Sequence, residues 1–267
     1  MRSSLKFAGL YCATLAPLAL HPVSAACSRV LRVGWVAWPP YSVEGPRQQP
    51  LGLDVELVSR IAQEAGCTVE FVRGIPPPRQ LFYLRQSTLD LQFAASDVPE
   101  RHAFAWVSKP YRAEIISLFA RSGEAARYAP ATLDTVAKNH WHLIAPDAGW
   151  FGASYQALRP QFQAKGRLSV YRTTTQGMQM LNTHRGDLVL GDHYAFVHES
   201  LAKGIPPLDP LPIPVNEAPI HLLLSKTSLQ ARDMDTLNAA IERLTRSGAL
   251  RDIETRYRLS QGRAPRR

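Results

Sequence analysis

One pattern constrains this chain more than any other: strand, helix, strand, helix, strand, run through twice and punctuated by two apolar extended segments. Short apolar stretches at 31–36, 68–72 and 89–95 alternate with helical patterns at 52–66 and 80–87. In the first helical pattern Leu53, Val55, Leu57, Val58, Ile61 and Ala62 supply the apolar positions, and Gly66 stops it. Repeated in this order, such units make a parallel sheet, because parallel neighbours need a long crossover that packs back on the sheet. The second run predicts strands at 141–145, 168–171 and 187–190 and helices at 152–162, 175–183 and 192–203. The apolar segments 115–121 and 220–225 read as crossovers between two such units, the second entered through the proline-rich stretch 206–219. Helices at 229–247 and 250–258 then return to the first unit. The expected architecture is α/β, with two lobes joined by two hinge crossovers. Residues 26–115 and 218–260 build lobe 1, 116–217 build lobe 2, and 261–267 form a tail. Ligands of open α/β sheets bind beyond the carboxyl ends of the strands. Two lobes place that crevice between them, where hinge closure buries a small molecule.

The first 25 residues have the order of a secretory signal peptide: Arg2 and Lys6, an apolar run from Phe7 interrupted by Pro17, then the small residues Val23-Ser24-Ala25. The apolar run is too short to span a bilayer comfortably. A soluble exported protein is preferred over a lipoprotein acylated at Cys27, since Ser24 stands where an aliphatic residue is usual. Cys12 leaves with the leader, so Cys27 and Cys67 remain. An even count in an oxidising compartment points to a disulfide, and parallel pairing of the first two strands would make the two positions neighbours. The alternative is two free thiols. The formal net charge of +9 is scattered, with no basic stripe interleaved with aromatics, so no nucleic-acid partner is expected.

Three segments resemble the family 3 periplasmic solute-binding proteins, whose best-known members feed polar amino acids to ABC transporters. The first is Leu31-Arg32-Val33-Gly34 with Trp38-Pro39-Pro40-Tyr41 and Gly52-Leu53-Asp54-Val55-Glu56-Leu57. The second is Leu89-Asp90 leading to Ser96-Asp97-Val98-Pro99-Glu100-Arg101 and Val107-Ser108-Lys109-Pro110-Tyr111. The third is Arg185-Gly186-Asp187-Leu188-Val189-Leu190-Gly191-Asp192. The resemblance implies the type II periplasmic-binding-protein fold, a periplasmic location, an amino acid or similar zwitterion as ligand, and an ABC permease or a membrane sensor as partner. It implies no cofactor, no metal and no catalysis.

Physical chemistry gives those residues their work. A free amino acid carries a carboxylate and an ammonium on one carbon, and a dry cleft must pair both. Arg101 matches the carboxylate clamp, since guanidinium grips a carboxylate with two parallel hydrogen bonds. Ser96 adds a hydroxyl donor and the Ala94–Ala95 backbone an amide. Asp192 matches the ammonium-binding carboxylate of the second lobe. Trp38, with Tyr41 beside it, matches the aromatic that covers the ligand side chain. Gly149 and Trp150, before a second-lobe helix, offer backbone N–H groups to the ligand carboxylate.

Each position also has a plain structural reading. Arg101 reads as a surface ion pair with Glu100, Asp192 as a helix N-cap, Trp38 as a core residue, and Arg79 as a solvent-facing cation. The family pattern is broken at Ala95 and Val98, where a Gly and a second Thr are usual. Trp35 stands where members that bind cationic side chains often carry Asp, which argues against a basic amino acid. The competing enzyme reading is a dehydratase-like activity on a small cyclic carboxylic acid, with His193 as the proton-transfer group. His140 and His142 flank Trp141 on a predicted strand, and two ligands without a third make a poor metal site.

Overall fold

The computed structural model describes residues 26–261, so the leader reading at 1–25 and the tail after Gln261 lie outside the described residues. The strands are β1 Leu31–Trp35, β2 Val43–Glu44, β3 Pro50–Leu51, β4 Val69–Arg73, β5 Leu91–Ala95, β6 Ala105–Val107, β7 Arg112–Arg121, β8 Leu143–Pro146, β9 Leu168–Tyr171, β10 Leu188–Asp192, β11 Leu208–Pro210 and β12 Asn216–Ser225. The helices are α1 Leu53–Glu64, α2 Pro77–Arg85, α3 Ala125–Tyr128, α4 Leu133–Lys138, α5 Ala153–Ala164, α6 Thr174–Asn182, α7 His193–Lys203, α8 Ala231–Ser247 and α9 Ala249–Gln261, with a 3-10 turn at Pro99–Ala103.

The main sheet runs β4-β1-β5-β12-β7-β10-β8-β9, with β6 on β12 and β11 on β7. In the first lobe β1 lies between β4 and β5, parallel to both. In the second lobe β8 lies between β9 and β10, again parallel to both. Each lobe therefore reverses its strand order at a central strand, and such a reversal opens a crevice at the carboxyl ends. The crossovers β7 and β12 run antiparallel to each other from Arg112↔Ile220 to Ile116↔Asn216. Beyond that ladder β7 continues into the second lobe against β10, and β12 into the first against β5. The two-lobed α/β expectation is met, with both crossovers longer than read: β7 begins at Arg112 and β12 at Asn216.

Alternation sorts the core onto the two faces of each half-sheet. In the first lobe Leu31, Val33, Leu91 and Leu224 meet Leu57 and Ile61 of α1 and Leu237 and Ile241 of α8. The opposite face holds Leu89, Leu223 and Leu84. In the second lobe Leu188 and Leu190 face Tyr155 and Phe162, while Val189 faces Met178, Leu181 and Phe196. Each such fully buried side chain contributes roughly 1.5–3 kcal/mol. Helices α8 and α9 place Leu244 and Ile253 in the same core as β1 and α1.

Several elements differ from the sequence reading. The helix expected from Gln80 begins at Pro77, because proline suits the first helical turn, where its missing N–H is no loss. Helices α3 and α4 fill a stretch left unassigned. His140 has φ 59° in a turn and β8 starts only at Leu143, so His140 and His142 do not share a strand face. His142 instead bonds Ser169 through Nε2 at 2.8 Å. Cys27 and Cys67 form the disulfide, with Cα atoms 5.1 Å apart, where parallel pairing of β1 and β4 brings them together.

Candidate functional site

The first-lobe rim is organised by the start of α1. No side chain caps this helix; its Leu53 and Asp54 N–H groups donate to the carbonyls of Pro40 and Tyr41 at 3.0 and 2.9 Å. That close approach needs Gly52, whose φ is 117° and where a Cβ would lie 2.6 Å from the Tyr41 carbonyl oxygen. The Trp38–Tyr41 loop is thereby fixed over the carboxyl end of β1. The Trp38 ring is partly buried and lies tilted against Tyr41, with centroids 4.6 Å apart and planes at 38°. Trp38 and Ser42 exchange two backbone hydrogen bonds that close the loop.

Tyr41 reaches the other lobe. Its hydroxyl lies 2.9 Å from both carboxylate oxygens of Asp192, at the carboxyl end of β10. Asp192 is also the N-cap of α7, accepting the Ala195 N–H at 2.7 Å. Asp192 thus both caps α7 and meets a side chain of the other lobe. Burial pushes the Asp192 carboxyl up to about 6, against the opposing pull of the Ala195 N–H and Arg112. The Tyr41 hydroxyl is held well above its ordinary range by burial and by Asp192.

Behind this contact lies a network that sequence reasoning missed. Arg112, at the start of β7, grips Asp54 of α1 with two hydrogen bonds, Nε to Oδ1 at 2.6 Å and Nη2 to Oδ2 at 2.8 Å. The same guanidinium lies 4.3 Å from the centre of the Tyr41 ring. The Tyr111 hydroxyl donates to Asp54 at 2.8 Å and accepts the Ala94 N–H at 3.0 Å. A chain of polar contacts therefore links the α7 cap to the end of β5. Glu114, two residues along β7 on the same face as Arg112, is 6 % exposed. Burial, reinforced by Asp192, pushes its carboxyl up to about 8. The signal was present: charged residues at alternate positions opening an apolar strand.

The remaining expected residues fall as follows. Arg101 sits on the 3-10 turn after β5, partly buried, and donates to the Ser96 carbonyl at 2.6 Å. It forms no ion pair among the described residues, so the reading of it as a surface pair with Glu100 fails. Ser96 is buried beside it, 7 % exposed. The Ala94 amide is engaged by Tyr111, and the expectation that it meets a ligand is corrected accordingly. Gly149 is exposed with φ 123°, and Trp150 is partly buried, both in the loop before α5. At the start of that helix a Cβ on Gly152 would meet Asn216 of the hinge strand at 2.8 Å. Arg79 is exposed, and Trp35 is buried in the lobe 1 core.

His193 turns away from this cluster. Its ring packs near Phe119, and Nδ1 lies 3.4 Å from the Ser117 hydroxyl, on the face of β7 opposite Glu114. Burial lowers its affinity for a proton. Among the described residues no group of three His, Cys, Asp or Glu could hold a metal ion. No helix among them is long and apolar enough to cross a membrane.

Solved structures with the same fold include a histidine kinase sensor domain similar to periplasmic binding proteins, with TM-score 0.71 and 18 % identity over 86 % of this chain and 96 % of that one. The GluR0 ligand-binding core in complex with L-glutamate aligns with TM-score 0.70 and 16 % identity, over 86 % of this chain and 98 % of its own. The arginine-, lysine-, histidine-binding protein ArtJ from Geobacillus stearothermophilus aligns with TM-score 0.68 and 17 % identity, over 89 % of this chain and 97 % of its own. A search of curated protein sequences found no match to this chain. The sequence profile of the bacterial extracellular solute-binding proteins, family 3, matches residues 31–260, and the chain belongs to that family.

Proposed function

We propose that this protein captures an amino acid or a similar small zwitterion in the cleft between its lobes and catalyses no reaction on it. The observation that carries this reading is Arg101, a partly buried guanidinium with no carboxylate partner among the described residues. Burial weakens this guanidinium's hold on its charge against the pull of nearby Asp97 and Glu100, neither of which pairs with it, and a ligand carboxylate answers the lost solvation with two parallel hydrogen bonds. Ser96 supports the carboxylate end. Asp192 in the other lobe takes the ammonium, and Trp38 and Tyr41 shape the side-chain pocket. Gly149 and Trp150 close the second-lobe side. Gripping the two charges from opposite lobes couples binding to closure about β7 and β12. Neighbours described as binding glutamate or arginine support the ligand class.

In this account residues 1–25 direct export, the mature protein works in the periplasm, and the closed lobes are the surface read by an ABC permease or a membrane sensor. Lobe 1 comprises 26–115 and 218–260, and lobe 2 comprises 116–217. Isothermal titration against the common L-amino acids, with Arg101→Ala alongside, tests the reading. Binding of one or a few near micromolar affinity, roughly −8 kcal/mol, and lost in the variant, is expected. Absence of heat from every amino acid would overturn it.

A further inference from the structure

The end of the cleft at Asp192 carries more negative charge than the protein neutralises. Three buried carboxylates stand on this side of the sheet: Asp54 at 0 %, Asp192 at 4 %, and Glu114 at 6 % exposure, two residues along β7 from Ile116, the ladder partner of Asp192. One buried guanidinium, Arg112, faces them, and both its forked hydrogen bonds go to Asp54. Asp192 accepts Tyr41 and the Ala195 N–H, and its Oδ2 keeps room for a further donor. Glu114 makes no hydrogen bond or ion pair with any described residue. A carboxylate more than nine-tenths buried and unpaired beside a second one favours holding a proton or meeting a cation over standing ionised alone.

We infer that Glu114 is a second carboxylate of the ammonium-binding end of the cleft, and that the ligand's primary ammonium enters in exchange for a proton held on the Glu114–Asp192 pair. This rests on the amino-acid reading above and adds to it a binding residue and a proton. The exchange balances: the protonated pair and an ammonium become an ionised pair in contact with that ammonium, and one proton passes to solvent. A nitrogen bearing several N–H donors is required, since both carboxylates can only accept.

The groups facing Glu114 are Arg112 on its own strand, Asp192 at the start of α7, Tyr41 from the loop after β1, and Asp54 of α1. Around them stand Tyr111 before β7, Tyr194 of α7, and Glu254 and Arg258 of α9, with His193 on the opposite face of β7. Tyr41 and Tyr111 are held well above their ordinary range, largely by burial, and stay neutral. His193 is held below its ordinary range by burial, so it does not supply a proton above neutrality. Glu114, pushed up to about 8, does.

The test is calorimetric. The amino acid that binds most tightly in the panel is titrated at pH 7 in phosphate and in Tris, whose ionisation enthalpies differ, and again at about pH 6 and pH 8. Wild type should release close to one proton per ligand, with affinity rising by up to about tenfold per pH unit below pH 8. Glu114→Gln should release almost none and lose most of that slope. Proton release near zero in wild type, or unchanged in the variant, overturns the inference while leaving the amino-acid reading intact. Absence of binding by either protein at any pH overturns both. A ligand-free arm stands beside it: the urea midpoint of Glu114→Gln relative to wild type should climb from pH 5 to pH 8.5, and a difference independent of pH overturns the inference.

Discussion

Replacing Asp54 by alanine should cost this protein about 3–5 kcal/mol, the range for breaking a buried pair from one side. The structure sets the terms. Asp54 accepts two charge-assisted hydrogen bonds from Arg112, at 2.6 and 2.8 Å, and one from Tyr111 at 2.8 Å. Bonds to charged groups contribute roughly 1.5–3 kcal/mol each, and the neutral donor about 1. The variant leaves Arg112, 6 % exposed, beside two tyrosine rings with no fork partner. The Tyr41 ring faces Arg112 in wild type and variant alike and so leaves the difference unchanged. Glu114 and Asp192 offset part of the loss, which favours the lower half of the range. The assay is urea denaturation at pH 7 followed by tryptophan fluorescence, reading a shifted midpoint at unchanged slope. The paired replacement Asp54→Leu with Arg112→Met should cost clearly less, since apolar packing substitutes well for a buried ion pair. A loss below about 1 kcal/mol for Asp54→Ala, or a double variant worse than the single, would refute the reasoning.

Three further outcomes are expected. Asp192→Ser keeps a capping oxygen for α7 and Asp192→Ala does not, so the serine variant should be more stable by about 1 kcal/mol while both lose amino-acid binding in titration. Reducing the Cys27–Cys67 bond, whose sequence separation is 40, should cost about 4 kcal/mol on the chain-entropy account, read as the change in urea midpoint with and without reductant. Asp90 is buried, and although burial opposes its charge, its bonds with Arg32 hold its carboxyl below the ordinary range. Its contribution is therefore present above that ordinary value and fades as pH falls through the lower folded value. Asp90→Asn should flatten the acid limb of the stability profile below about pH 4.

How far the residues alone could lead depended on how local the information was. Helices α1 and α8 were legible because an apolar stripe at helical spacing repeats over several turns, and Gly66 and Gly248 mark their ends. The parallel strands were legible as apolar runs between them. The crossovers were shortened because Arg112 and Glu114 open β7 and Pro219 lies within β12, which hides extended backbone behind polar and proline residues. Arg101 and Asp192 stand out through a motif rather than a pattern of polarity, since Asp192 as a helix cap looks like any other. The bonds from Arg112 to Asp54 and from Tyr41 to Asp192 were out of reach. They join residues far apart in the chain, and only the folded sheet sets which charges share a face.

The central claim is that one zwitterion is held by opposite charges in opposite lobes, and a crystal structure of the complex with the tightest-binding amino acid tests it most directly. The ligand carboxylate is expected in two-point contact with Arg101 and its ammonium within hydrogen-bond reach of Asp192 and Glu114. A ligand bound with its poles reversed, or seated away from Arg101, would contradict it.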